Sequence, residues 1–140
     1  MAGYTVKNLK EIEDQAPEFG FSPSLEARFA RGPLELESSG LSYQRIASGF
    51  RVPFGHKHEA QEEIYVLLSG SGRMKLDDEV IELRQWDAVR VGAATMRDFE
   101  AGPEGAELLA FGAPAIVPND AEMTPGWWSD SQRLPLKRPP

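Results

Sequence analysis

His56 and His58 are the two histidines of the chain, and they stand two residues apart in the stretch GFRVPFGHKHEAQEEIYVLLSG, residues 49–70. On an extended strand, side chains two apart point to one face, so both imidazoles share a side. Glu63 follows five residues after His58 and opens an apolar run, Ile64 to Leu68, that stops at Ser69-Gly70-Ser71-Gly72. Two imidazoles and a carboxylate suit zinc or a divalent transition metal, and three protein ligands leave positions open for a small molecule. Glu62 is the rival acid, but the start of the apolar strand favours Glu63.

Gly49, His56, His58, Glu63 and Gly70 together resemble the first motif of the cupin superfamily, with the gap from Gly49 to His56 one residue longer than the usual form. The stretch LRQWDAVRVGAATMRDFEAG, Leu83 to Gly102, resembles the second motif, with Trp86-Asp87 in place of the usual Gly-Asp. The resemblance implies an all-β fold, an antiparallel jelly-roll β-barrel with a small-molecule pocket inside. It also implies a fourth ligand, a histidine, at the end of the second motif. Aligned on Asp87 and Val91, that position falls on Arg97. The family includes metal-dependent dioxygenases, isomerases, decarboxylases, sugar-modifying enzymes and ligand sensors without enzymatic activity. Its members commonly dimerise through edge strands, which implies a homodimer here.

Arg97 divides the functional reading. In one version His56, His58 and Glu63 hold a divalent transition metal or zinc as a reduced site, in an oxygenase or isomerase. In the other the site is metal-free, a binding or sensing module in which Arg97 pairs with Glu63 or grips an anionic ligand. Guanidinium and carboxylate match as a two-pronged pair, and a cation in the cavity opposes a metal. A storage role is the weakest of the alternatives, because a polar His-His-Glu cluster is a costly core filler. A one-residue shift of register would turn Met96 inward instead of Arg97. Other candidates for a ligand pocket are Tyr65, on the face of Glu63, Tyr43 and Arg45 ahead of the first motif, and Phe99, on the face of Arg97. For each of these, core packing or plain solvation competes with a role in the pocket.

The elements that must hold these residues are short strands. Alternation marks strands at Tyr4 to Leu9, Leu25 to Phe29, Leu34 to Glu37, Leu41 to Ala47 and Glu63 to Leu68. Ser69 to Gly72 reads as a tight turn, and Asp77-Asp78-Glu79 as a second hairpin turn between Arg73–Leu76 and Val80–Leu83. Further strands are expected at Trp86 to Val91, Met96 to Glu100 and Glu107 to Phe111, with a turn at Ala101 to Gly105. Close strand spacing without a helix-period pattern argues an all-β sandwich or barrel. The expected organisation is a barrel over residues 1–115, N-terminal strands included, and an irregular tail over 116–140. Trp127-Trp128 should dock part of that tail, either on this chain or across a dimer interface, with disorder beyond Asp130.

Composition narrows the function classes. The 140 residues suit one domain. The chain has no cysteine, which excludes disulfides and thiolate metal sites. A net charge of −7 opposes phosphate backbones, so no nucleic-acid partner is expected. No membrane span or signal segment is read, and the expected location is the cytoplasm. The glycines of SGSGRM sit between strands rather than ahead of a helix, which excludes a phosphate loop.

Overall fold

The computed structural model describes residues 3–115, 120–132 and 134–137. Residues 116–119, 133 and 138–140 of the expected tail lie outside the described residues. Among the described residues nine strands form one sheet: β1 (Leu25–Phe29), β2 (Gly40–Ile46), β3 (Phe54–Lys57), β4 (Glu62–Leu76), β5 (Glu79–Arg84), β6 (Ala88–Val91), β7 (Arg97–Ala113), β8 (Glu122–Pro125) and β9 (Leu136–Lys137). Two short 3-10 turns, Leu9–Glu11 and Ala16–Phe19, precede β1. Among the described residues no helix is long and apolar enough to cross a membrane.

Two long strands organise everything else. β4 and β7 lie antiparallel along their lengths, from Glu62 opposite Ala113 to Leu76 opposite Arg97. Their first halves and second halves recruit different neighbours. The end of β4 near Glu63 pairs with β6, and the adjoining part of β7 pairs with β2, which carries β1. At the other end β4 pairs with β5, and the start of β7 meets β3. One apolar core joins the two halves, with Leu25, Ile46, Tyr65, Leu67 and Leu108 from the first and Met74, Leu83, Phe99 and Ala101 from the second.

The length of β4 and β7 corrects two expected turns. Ser69 to Gly72 and Ala101 to Gly105 do not reverse the chain; both lie inside continuous strands. The register shifts between Leu67 and Ser69 and again between Gly70 and Gly72, which marks bulges. Gly70 and Gly105 have φ of 79° and 74°, open to glycine and strained for other residues. A Cβ on Gly70 would run into the Gly105 carbonyl, so the two strands bend through a place where only bare backbone fits. Glycine is a signal for turns and bulges alike, and only the tertiary pairing separates them.

Two other expected strands do not form. Tyr4 and Val6 are exposed, and Asn8 instead caps a 3-10 turn by accepting the Lys10 N–H at 2.9 Å. Leu34 to Glu37 is broken by Glu35 at φ 57°. The two-residue hairpin at Asp77-Asp78 does form, with Asp77 at φ 49°. Trp86 stands at φ 72°, the left-handed backbone that a glycine at this motif position would adopt without strain.

The expected irregular tail carries two short strands. β8 pairs with β3, and β9 lies parallel to β5. Residues 134–137, expected to be disordered, are held there because β5 has an edge free to pair. Trp127 and Trp128 dock on this chain: the Lys75 ammonium sits 3.8 Å from the centre of the Trp127 ring, and the Arg51 guanidinium 4.4 Å from that of Trp128. Lys75 also donates to the Trp127 carbonyl at 3.1 Å and to Gln132 Oε1 at 2.9 Å.

Candidate metal centre

The candidate site is assembled by three strand ends. β3 carries His56 and leads directly into His58, whose N–H donates to the Ala93 carbonyl at 2.8 Å. β4 carries Glu63 as its second residue, opposite Val91 of β6 and Gly112 of β7. β7 opens with Arg97, paired with His56. The period of two in β3 sets the imidazoles side by side, with ring centres 5.2 Å apart and planes at 85°.

Contacts converge on one oxygen. Glu63 Oε1 lies 3.2 Å from His56 Nε2 and 3.2 Å from His58 Nε2. The Tyr65 hydroxyl donates to the same oxygen at 2.7 Å, and Arg97 Nε approaches it at 3.8 Å. Burial pushes the Glu63 carboxyl up, but the adjacent imidazoles of His56 and His58 and the hydrogen bond from Tyr65 outweigh it and hold the group well below the usual carboxylate range. Tyr65 moves the other way, raised first by burial and then by the Glu63 charge. Glu63 is therefore an ionised acceptor in a nearly dry site.

His58 is held from its other side. Its Nδ1 lies 2.6 Å from Asp120 Oδ1, a residue 62 positions along the chain. Burial disfavours the imidazolium of His58, yet Glu63 and Asp120 together raise its pKa. Asp120 is lowered, its burial opposed by His58 and the Ala60 N–H. Asp120 was not legible in the sequence: no periodicity or motif surrounds it, and a separation of 62 residues carries no pairing signal.

Arg97 faces inward and is only 1% exposed, one of the largest fully buried side chains. Its two terminal nitrogens donate to backbone carbonyls, to His56 at 3.4 Å and Gly92 at 3.0 Å. That geometry corrects one expectation: a guanidinium sealed from solvent and tied to two carbonyls does not grip an incoming anion. It leaves the other, a pairing with Glu63 through Nε. Met96 is partly buried ahead of β7.

The remaining expected pocket residues separate. Tyr65 lies at the cluster, its hydroxyl also 3.4 Å from His56 Nε2. Phe99 belongs to the core, where it fills the space that a Cβ on Gly72 would need. Tyr43 and Arg45 do not reach the site. Tyr43 donates to Glu107 with Lys10 over its ring, and Arg45 pairs with Glu26 at 3.2 Å. Parity explains the miss: Ile46 of the same strand is in the core, so positions 43 and 45 face the other way.

Two observations test whether these residues suit a metal ion. His56, His58 and Glu63 each offer one ligand atom, and the three atoms lie within 4.8 Å of one another. The 3.2 Å separations from Glu63 to each imidazole are close to the spacing of neighbouring ligand atoms on bonds of roughly 2.0–2.2 Å. Second, His58 Nε2 and Arg97 Nε are, among the described residues, the buried side-chain nitrogens or oxygens without a hydrogen-bond partner. The contact of His58 Nε2 with Glu63 is close enough for an ion pair but lacks hydrogen-bond alignment. A buried imidazole lone pair left over in this way is what a metal satisfies. The residues fit a three-ligand centre; Arg97, which offers donors only, cannot be a fourth ligand.

No protein-family model matches the sequence. An uncharacterised protein of Methanocaldococcus jannaschii is 33% identical over 78 residues, 51% of this chain and 62% of that protein. The match thus spans less than two thirds of that relative's length. Among solved structures, a cupin protein from Bacteroides fragilis aligns with a TM-score of 0.68 and 26% identity, over 82% of this chain and 87% of that one. Oxalate decarboxylase from Bacillus subtilis aligns with a TM-score of 0.67 and 19% identity, over 84% of this chain and 32% of that one.

Proposed function

Starting from a chain that belongs to the cupin superfamily, we propose that it acts on a small molecule at a three-ligand metal centre formed by His56, His58 and Glu63. The observation that carries this reading is the buried, unpartnered Nε2 of His58 beside the two other ligand atoms. When bound, a divalent transition metal or zinc would supply Lewis acidity and open coordination positions for an oxygen-bearing ligand. The reaction we propose for such a centre is of the oxygenase or isomerase class. The fold likeness to an oxalate decarboxylase supports a small-molecule substrate by analogy alone.

The chain's own residues have separable tasks in this reading. Tyr65 holds Glu63 Oε1 by its hydroxyl and keeps the acid turned toward the imidazoles. Arg97 ties the start of β7 to the His56 carbonyl, and so sets where the His56 strand lies. Val91, a fully buried core residue, lies directly across from Glu63 and backs the cluster. We also propose a homodimer in the cytoplasm; the exposed Ile64 and Phe111, cross-strand neighbours on the outer face, support a second copy there.

A second reading has its own support. Arg97 Nε at 3.8 Å from Glu63 Oε1 places a cation where the family pattern puts a fourth ligand, as a metal-free binding module would. Elemental analysis of untagged protein from metal-supplemented medium separates the two. A stoichiometric metal that is lost in His56→Ala supports the centre. Protein that comes out blank under those conditions removes it in favour of the metal-free module.

A further inference from the structure

Asp120 is bound on three sides. Oδ1 meets His58 Nδ1 at 2.6 Å, and Oδ2 accepts the N–H groups of Ala60 at 3.2 Å and Gln61 at 3.4 Å. Its side chain is 6% exposed. One carboxylate therefore grips a ligand imidazole and the loop that joins His58 to Glu63. The segment that follows is fastened along the same strand. Met123 pairs with His56 and Pro125 with Phe54, and the Gly126 N–H donates to the Pro53 carbonyl at 2.9 Å. Trp127 then lies flat against Gly55, where an added Cβ would come within 2.5 Å of its ring. Lys75 and Arg51 hold the two indoles beyond.

A neutral imidazole has one N–H and one lone pair, and the partner of one nitrogen decides what the other offers. A carboxylate is an acceptor only, so at 2.6 Å it requires the proton on Nδ1. The lone pair is then on Nε2, the atom that faces Glu63 and has no hydrogen-bond partner. We propose that Asp120 is a positioning residue for the centre: it fixes His58 in the Nδ1–H form with Nε2 directed at Glu63, and the strap 120–128 holds it there against the His56 strand. The inference rests on the three-ligand reading for its purpose, though not for its geometry. Carboxylate–histidine–metal arrangements of this kind are worth roughly 10- to 100-fold in metal affinity.

The test uses the full chain and two readouts. Nitrogen-15 spectra of the metal-free protein, at a pH where both imidazoles are neutral, report which ring nitrogen carries the proton; His56→Gln assigns the two rings. Zinc affinity is measured by competition with a chelator. In the wild-type protein His58 is expected in the Nδ1–H form. Asp120→Ala should mix the two forms at His58, leave His56 unchanged and weaken zinc by about 10- to 100-fold. Asp120→Asn keeps an acceptor oxygen, so it should retain the Nδ1–H form and show a smaller loss. A wild-type His58 protonated on Nε2 overturns the proposal, and this result needs no variant to fold. So does an Asp120→Ala protein whose His58 form is unchanged, which would leave Asp120 a brace for the loop at 59–61. If wild-type protein binds no zinc while the His58 form still follows Asp120, the metal reading fails and the positioning role stands.

Discussion

Replacing Arg97 with methionine separates the two charges that share Glu63. At 3.8 Å, and with an effective dielectric near 20, the Arg97–Glu63 attraction is about 4 kcal/mol. Removing one partner of a buried ion pair costs about 3–5 kcal/mol, because the other charge stays buried. Arg97→Met should therefore destabilise the metal-free protein by about that much, with the lost bonds to the His56 and Gly92 carbonyls on the same side of the balance. The effect on a metal has the opposite sign. A divalent ion beside Arg97 feels about twice the repulsion of a unit charge at the same distance. Without Arg97 the ion also replaces the missing counter-charge of Glu63, so zinc should bind at least about tenfold more tightly, equivalent to about 1.4 kcal/mol. Urea denaturation in a chelator, then at increasing zinc, measures both quantities. Zinc at 100 times the variant's dissociation constant adds about 2.7 kcal/mol to the variant, and at a tenfold weaker affinity about 1.4 kcal/mol to wild type, so the variant should regain about half or more of its loss and shift further than wild type. Arg97→Lys, which keeps the charge, should bind zinc no better than wild type. Equal zinc-induced shifts in wild type and Arg97→Met, or an unchanged midpoint in chelator, would refute the account of Arg97 as a stand-in cation.

Two further expectations concern stability away from the ligands. Trp86 is 70% exposed at φ 72°, so Trp86→Gly removes strain of about 1–2 kcal/mol while sacrificing little packing. After the entropy of glycine the net gain should be about 0.5–1 kcal/mol, read as a higher urea midpoint; a lower midpoint would show that the indole packs in solution. Asp98 is buried, and desolvation raises its pKa to about 8, against the pull of the Phe99 N–H and Arg51. The folded state thus holds a proton that the unfolded chain, with an ordinary carboxyl near 3.8, releases. Its contribution is fully present below that value and is lost as pH rises toward 8, by up to about 1.4 kcal/mol per pH unit. Asp98→Asn should flatten this part of the stability profile and be the more stable protein at pH 9; parallel profiles would exclude a protonated Asp98.

The part of the site that was legible lies within eight residues. His56, His58 and Glu63 announce themselves because strand parity and the start of an apolar run are local properties. Arg97 was legible as a departure from a motif; parity does not account for its burial, because Arg97, Asp98 and Phe99 are all buried at the start of β7. Tyr43 and Arg45 are expected in the pocket because alternation names two faces without saying which lines the core; Tyr43 is itself buried, yet Ile46, on the other face, is the one that joins the core cluster. The glycines of Ser69 to Gly72 and Ala101 to Gly105 hide the length of β4 and β7, because a glycine that bends a paired strand and a glycine that reverses the chain look alike in sequence. The adjacent indoles announce that they dock, but where they dock, and the role of Asp120, depend on contacts between residues more than 50 positions apart, for which one sequence holds no local signal.

β8 has a consequence for how the molecule behaves in a crowded solution. β3 is four residues long and pairs with β7 at one position, so without β8 it would present a row of unpaired amides and carbonyls beside the imidazoles. Such a row is a template for a strand of another chain. β8 covers it and then ends the lattice: it carries the charge of Glu122, Pro125 has no N–H to donate, and Gly126 turns away at φ 68°. Cutting the chain before Glu122 would therefore do more than loosen a ligand; it would expose a sticky border at the centre, and such protein should form oligomers that grow with concentration.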